Sequence, residues 1–276
     1  MFSSPNEFKS YVNRYYDEGT WLKFVREFRK SLLGIPLEHL VREFHCQGLE
    51  HRTSFFSEEL IRAFDRYLLP RLQENDAQGN PTRILSLPCS SGQEVYSLAT
   101  LAWDQGFRDF IVEGRDVSEN LINKARSGEY WMKPNKDKLE PFIEKGYFWA
   151  RKKGRKHNYL SDLEISPSIV QRCNFEVQDI LLDVISTEYD AILCFNLFMH
   201  LSSEGREVAL SNLTTNLRSG DLLFLGESYQ VNRGYQQGWN LERDRMSDYN
   251  QFVGELEKRD EGEFRKMGES NVYRRV

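Results

Sequence analysis

Apolar residues recur at helical spacing through the first quarter of the chain. The sets are Phe8, Val12 and Tyr15, then Trp21, Phe24, Phe28 and Leu32, then Phe56, Leu60, Phe64 and Tyr67. Steps of three and four place each set on one helix face, which predicts several helices between Asn6 and about Tyr67. The Gly34-Ile35-Pro36 step breaks one of them, because proline lacks an amide hydrogen and biases its predecessor out of the helix. Residues 73–82 are polar with a Gly and a Pro, and form the predicted linker.

Beyond that stretch the texture changes. Short apolar runs at 83–87, 110–113, 174–177, 189–195 and 221–226 read as strands, with helical patterns around 95–103, 121–126 and 206–217. Short strands alternating with helices predict an α/β fold whose mostly parallel sheet is covered on both faces. The segment 131–174 does not fit. It carries Pro134, Pro141, Pro167 and the basic run Arg151-Lys-Lys-Gly-Arg-Lys156, and is too long for a plain connection. The expected organisation is a helical N-terminal domain and linker start over 1–75, then an α/β domain over 76–276 with an inserted subdomain at about 131–174. A solvated helix after Asn240 and a final strand over 271–276 complete it.

Length and charge narrow the function. A chain of 276 residues can bury a real core, and 37 Lys plus Arg against 42 Asp plus Glu give a formal charge of −5. That balance offers no general attraction to nucleic acid or anionic lipid, so neither is expected as a partner. No apolar run approaches a membrane span and the N-terminus lacks a signal-peptide core, so a cytoplasmic location is expected. Cys46, Cys89, Cys173 and Cys194 are scattered without CxxC spacing. Reduced, mostly buried thiols are expected, and no metal site.

Candidate chemistry gathers where strands end. The first strand runs into Pro88-Cys-Ser-Ser-Gly-Gln-Glu-Val-Tyr-Ser97, at the carboxyl edge where open α/β sheets bind ligands. Gly92 admits close approach, the following helix offers free amides, and Glu94 adds a carboxylate that would repel phosphate and hold an ammonium group. Asp116, after the second strand, can accept from both ribose hydroxyls of an adenosine, or cap the next helix in competition with Ser118. Asp179, in Gln178-Asp179-Ile180, can hold an adenine amino group or simply serve a turn. Asn196 falls on the same edge, in Phe195-Asn-Leu-Phe-Met-His-Leu201.

In order, these pieces resemble the CheR family of S-adenosylmethionine-dependent methyltransferases, which esterify glutamate side chains of chemotaxis receptors. Ser90 to Ser97 is similar to the family's STGEEPYS-like loop. Asp116 with Lys124-Ala-Arg-Ser-Gly-Glu-Tyr130 resembles its D-x-D…KARSGxY, with Ser118 in place of the second Asp. Asp190 to Leu197 resembles FDxIFCRNV, Leu223 to Ser228 resembles LFxGxSE, and Thr53-Ser-Phe-Phe56 resembles TxFFR. The similarity runs from about Thr53 to the C-terminus.

The resemblance implies a Rossmann-like class I methyltransferase sheet, S-adenosylmethionine as cofactor and S-adenosylhomocysteine as product. In the loop of Ser90 and Gly92, Glu94 would hold the methionine end. Asp116 would hold the ribose, Asp179 and Ile180 would line the adenine, and Asn196 and Leu197 would form the crevice floor. The implied partner is a protein substrate, a chemoreceptor cytoplasmic region, met by a monomer, and the inserted segment would match a small β-subdomain that docks a receptor tail in some members. Two departures stand at the acceptor side. Ser57 replaces the arginine closing TxFFR, and His200 stands where the family has a tyrosine. An arginine grips a carboxylate with two parallel hydrogen bonds that serine cannot reproduce. Arg52, Arg62 or another cation is then the candidate, and Ser57, His200 and Arg62 are the expected acceptor-side residues. The alternatives are a different acceptor, or a cofactor-binding regulatory or scaffolding module without turnover.

Overall fold

The computed structural model describes residues 2–18, 20, 41, 44, 54–132, 136–151, 160–215, 217–225, 264–267 and 272–275. The expected helix over 21–32, the break at Gly34 to Pro36, Cys46, Arg52, Thr53, the basic run after Arg151 and the helix after Asn240 lie outside them.

Helix α1 (Pro5–Tyr15) starts where Ser4 accepts from the Glu7 amide and Pro5 presets the first turn, and it buries Phe8, Tyr11 and Val12. Helix α2 (Glu58–Ala63) passes through a π-helical turn (Phe64–Leu68) into α3 (Leu69–Gln78), which Gly79 ends in the left-handed conformation at φ 70°. Then follow β1 (Thr82–Ser86), α4 (Gln93–Asp104), β2 (Phe110–Asp116) and α5 (Glu119–Ser127). The next run holds β3 (Glu129–Met132), α6 (Lys136–Glu144), β4 (Phe148–Arg151), β5 (Leu160–Ile165), α7 (Pro167–Val170) and β6 (Cys173–Val177). Last come β7 (Ala191–Leu193), a single 3-10 turn (Phe198–His200), α8 (Ser203–Thr214), β8 (Leu222–Phe224), β9 (Phe264–Lys266) and β10 (Val272–Arg275).

The chain divides into two compact units, Arg52–Gln178 with Tyr189–Ala191, and Met1–His51 with Asp179–Glu188 and Ile192–Val276. In the first, β1, β2 and β6 pair in parallel, with Ile84 opposite Val112 and Val112 opposite Cys173. Helix α4 packs on β2, and α5 on β2 and β6, as crossover helices must. The same unit carries a three-stranded antiparallel sheet in the order β3-β5-β4, spanning most of the segment expected as an insertion. Its aromatic floor includes Tyr130 and Phe148, with ring centroids 5.0 and 5.5 Å from that of Phe55.

Two expectations need correction here. Residues 73–78 are not linker but the end of α3. The reason is Asp190, which accepts from Asn75 Nδ2 at 2.9 Å, from Arg71 at 3.1 Å and from the Arg83 amide at 2.8 Å. That buried carboxylate ties the polar helix end to β1. The second strand is also longer than its apolar run. Glu113 and Arg115 continue it because they satisfy each other and Tyr189 inside the unit, so Asp116 is its last residue.

In the second unit, Cys194 donates its amide to Phe224 O at 2.8 Å, and β8, β10 and β9 pair antiparallel, with Leu223 opposite Tyr273 and Tyr273 opposite Lys266. Helix α1 lies against the start of α8. A Cβ on Gly205 would fall 2.1 Å from Tyr15 O, so only glycine allows that approach. The Ser202 amide donates to Tyr15 O and the Asp17 amide to His200 O, both at 3.0 Å. Cys89, Cys173 and Cys194 are buried and stand outside any disulfide among the described residues.

Candidate functional site

The turn from β1 to α4 is built around two left-handed residues, Ser90 at φ 51° and Gly92 at φ 86°. A Cβ on Gly92 would lie 2.7 Å from Ala125 Cβ and 3.0 Å from the Phe175 ring, so the position requires glycine for packing as well as for φ. The Lys124 to Tyr130 motif is what closes on this turn. Ala125 abuts Gly92, Arg126 donates to Phe175 O at 3.2 and 2.8 Å, and Tyr130 Oη donates to Ser91 O at 2.5 Å. Gly128 ends α5 at φ 61° and lets the chain turn into β3.

Asp116 reaches the same turn from β2. Its Oδ2 accepts from the Ser90 amide at 2.8 Å and its Oδ1 from the Ser118 amide at 2.9 Å. The competition for the helix cap is thereby resolved: Ser118 is the N-cap of α5, and Asp116 ties the cap residue to the loop. Burial pushes the Asp116 carboxyl up to about 6, against the lowering effect of the two amides. Glu94 stands half-buried in the first turn of α4, where its Oε1 accepts from Ser86 Oγ at 2.7 Å. Burial pushes this carboxyl up to about 8.

The other unit holds Asp179, Ile180, Asn196, Leu197 and His200. Asp179 Oδ2 accepts from Tyr11 Oη at 2.6 Å and Oδ1 from the Leu181 amide at 2.9 Å, while burial raises its carboxyl above the usual range. Ile180 is buried, and its carbonyl accepts from Asn212 Nδ2 at 2.6 Å. Asn196 adopts φ 63°, followed by buried Leu197 and the 3-10 turn that ends at buried His200. Among the described residues, three non-glycines have positive φ: Phe56, Ser90 and Asn196. Each sits in a segment singled out from sequence, and strained backbone of this kind marks functional loops.

A family model described as CheR methyltransferase, SAM binding domain, matches residues 51–244, more than half of the chain. The chain belongs to the CheR methyltransferase family. A chemotaxis protein methyltransferase of Listeria monocytogenes is 30% identical over 219 residues, 77% of this chain and 75% of that protein. The chemotaxis protein methyltransferase 1 of Pseudomonas aeruginosa is 29% identical over 174 residues, 60% of each. Among solved structures, the glycopeptide N-methyltransferase MtfA with sinefungin overlaps 58% of this chain and 50% of its own, at TM-score 0.36 and 11% identity.

As a CheR methyltransferase the chain takes S-adenosylmethionine, and its residues fit that group. The twelve-residue α4 starts from Gly92, which has no side chain to cap it, so its N-terminal turn suits a carboxylate; Glu94 stands in that turn for an ammonium, and Asp116 has acceptor capacity left on both oxygens for a ribose. On the acceptor side the CheR residues are less simply placed. Ser57 is the N-cap of α2, its Oγ accepting from the Leu60 amide at 3.1 Å, and Arg62 is exposed in the last turn of that helix. Sequence reasoning missed Ser86 and Tyr11 as partners of Glu94 and Asp179, since neither lies in a recognisable motif. Tyr130 was within a motif, yet its partner Ser91 was not readable from spacing. Among the described residues no helix is long and apolar enough to cross a membrane, and no cluster of His, Cys, Asp and Glu could hold a metal.

Proposed function

We propose that this chain transfers the methyl group of S-adenosylmethionine to glutamate side chains of a chemoreceptor cytoplasmic region. The observation that carries the reading is the pair of carboxyls built around the Gly92 turn, Glu94 anchored by Ser86 and Asp116 anchored by two amides. The names of the Listeria and Pseudomonas relatives support it.

When bound, S-adenosylmethionine supplies a methyl on a sulfonium, which the acceptor carboxylate oxygen takes as the carbon–sulfur bond breaks and S-adenosylhomocysteine is left. A glutamate acceptor is already ionised near pH 7, so no residue of the chain need act as its base. The chain's residues bind and orient. Glu94 holds the ammonium and the α4 amides the carboxylate of the methionine end. Asp116 accepts from the ribose hydroxyls, and Asp179 accepts from the adenine amino group beside Ile180. Asn196 and Leu197 form the floor, while Ser57, Arg62 and His200 serve the acceptor.

The test is incubation of a chemoreceptor cytoplasmic fragment with methyl-labelled cofactor, followed by mild alkali. Released labelled methanol is the expected result. A fragment that stays unlabelled while calorimetry shows cofactor binding would favour a second reading, a module that holds the cofactor without turnover. One observation speaks for that reading: Ser57 is engaged as a helix cap and brings no cation where the family has arginine.

A further inference from the structure

We infer that Tyr11 is a specificity-determining positioning residue, holding Asp179 as a pure hydrogen-bond acceptor that selects an amino group at the purine 6-position. The inference rests on the proposed role of Asp179 at the adenine.

Tyr11 is buried on α1, and 168 positions separate it from Asp179. A phenol has one hydrogen to donate, and here it goes to Asp179 Oδ2 at 2.6 Å, the short distance of a charge-assisted bond. The Leu181 amide takes Oδ1 at 2.9 Å. Both bonds fix the carboxyl plane and favour its ionised form, opposing burial and the neighbouring Asp183 charge, which favour the protonated one. An ionised carboxylate only accepts. Adenine presents an amino donor at position 6 and pairs with it, whereas hypoxanthine presents a carbonyl oxygen, so acceptor faces acceptor. Sites that leave a buried polar group unpaired discriminate far more strongly than sites that differ by apolar contact.

Removing the hydroxyl isolates this effect, because α1 is held in place by other means. The Tyr11 ring lies 4.9 Å from the ring of Phe2 and 5.4 Å from that of Tyr15, centroid to centroid. The helix end is tied separately through Asp17 to His200, Ser202 to Tyr15, and Arg14 to Glu204 at 2.6 Å. Tyr11→Phe keeps the ring and those ties, and deletes only the donor.

The experiment is calorimetry of S-adenosylhomocysteine and S-inosylhomocysteine on the whole chain, its Tyr11→Phe variant and its Asp179→Ala variant, with thermal melting to verify folding. The intact chain is expected to prefer the adenosyl compound by about tenfold or more. Tyr11→Phe should narrow that preference about fivefold with a near-normal melt, and Asp179→Ala should erase it. An unchanged ratio in Tyr11→Phe beside an erased one in Asp179→Ala overturns the role of Tyr11 and leaves Asp179 in place. An unchanged ratio in Asp179→Ala removes Asp179 from the adenine, and the inference with it. Tyr11→Met, a second deletion of the donor with different packing, gives the same readout if the Phe variant does not fold.

Discussion

Tyr130 Oη donates a 2.5 Å hydrogen bond to Ser91 O, 39 residues earlier in the chain. The bond joins the first strand of the small antiparallel sheet to the glycine turn at the head of α4. It gives the Lys124 to Tyr130 motif a physical purpose: Ala125 packs on Gly92 while Tyr130 holds the preceding carbonyl.

Tyr130→Phe should therefore cost about 1 kcal/mol of stability, the usual net worth of one hydrogen bond. It should also raise the dissociation constant of S-adenosylhomocysteine about fivefold, because the turn must then be ordered on binding. Denaturant titration and calorimetry check both, and a variant indistinguishable from the parent in each would remove the brace.

Glu94 should release a proton when the cofactor binds. Burial holds its carboxyl at about 8, so at pH 7 it is mostly protonated in the free protein, and an adjacent ammonium favours the carboxylate. Calorimetry of S-adenosylhomocysteine binding at pH 7 in buffers of different ionisation heat should show about one proton released, and Glu94→Gln should abolish it. Buffer-independent heats for the intact chain would refute this.

The free protein should lose stability as pH rises through the acidic and neutral range. For both Glu94 and Asp116 the folded value lies above the unfolded one, so the folded state binds the proton more tightly. The stabilisation is present at low pH and is lost from 4.5 to about 8 for Glu94, and from 3.8 to about 6 for Asp116. Melting temperatures between pH 5 and pH 8 should fall less in the Glu94→Gln variant than in the parent; equal slopes would show that Glu94 does not contribute.

Gly92→Ala should be strongly destabilising. A left-handed φ of 86° penalises any side chain, and the new Cβ would lie 2.7 Å from Ala125 Cβ. Together these cost about 2–4 kcal/mol. A loss under about 1 kcal/mol in chemical denaturation would mean the turn relaxes freely.

Ser57→Arg tests the acceptor. The substitution removes the cap on the Leu60 amide, a loss of about 1 kcal/mol in stability. If the acceptor is a glutamate carboxylate, methyl transfer to a receptor fragment should nonetheless be retained or increased, because a positioned cation offsets the desolvation of the anion. Loss of transfer with cofactor affinity unchanged points to a different acceptor or a different cation, and the pH dependence of the parent rate then tests His200.

Local pattern alone determined the elements whose partners are generic. Helix α4, strand β1 and helix α8 follow from apolar period, since any apolar surface can cover such a face, and the left-handed turn at Gly92 follows from the residue itself. The residues proposed for the cofactor side were picked out in the same local way, because a glycine turn followed by one acid, and a second acid after the next strand, need no knowledge of their neighbours. What tertiary structure alone decided depends on single distant polar partners. Residues 73–78 read as linker by composition but are helix because Asn75 finds Asp190. Asp116 sits inside β2 because Glu113 and Arg115 neutralise each other against Tyr189. Ser57 looked like a lost arginine and is a helix cap, and Tyr11, which no sequence pattern singled out, is the donor to Asp179. Hydrophobic burial is non-directional and leaves its trace as a period along the chain, whereas a buried hydrogen bond is a pairing of two particular atoms, and nothing in the spacing around one of them names the other.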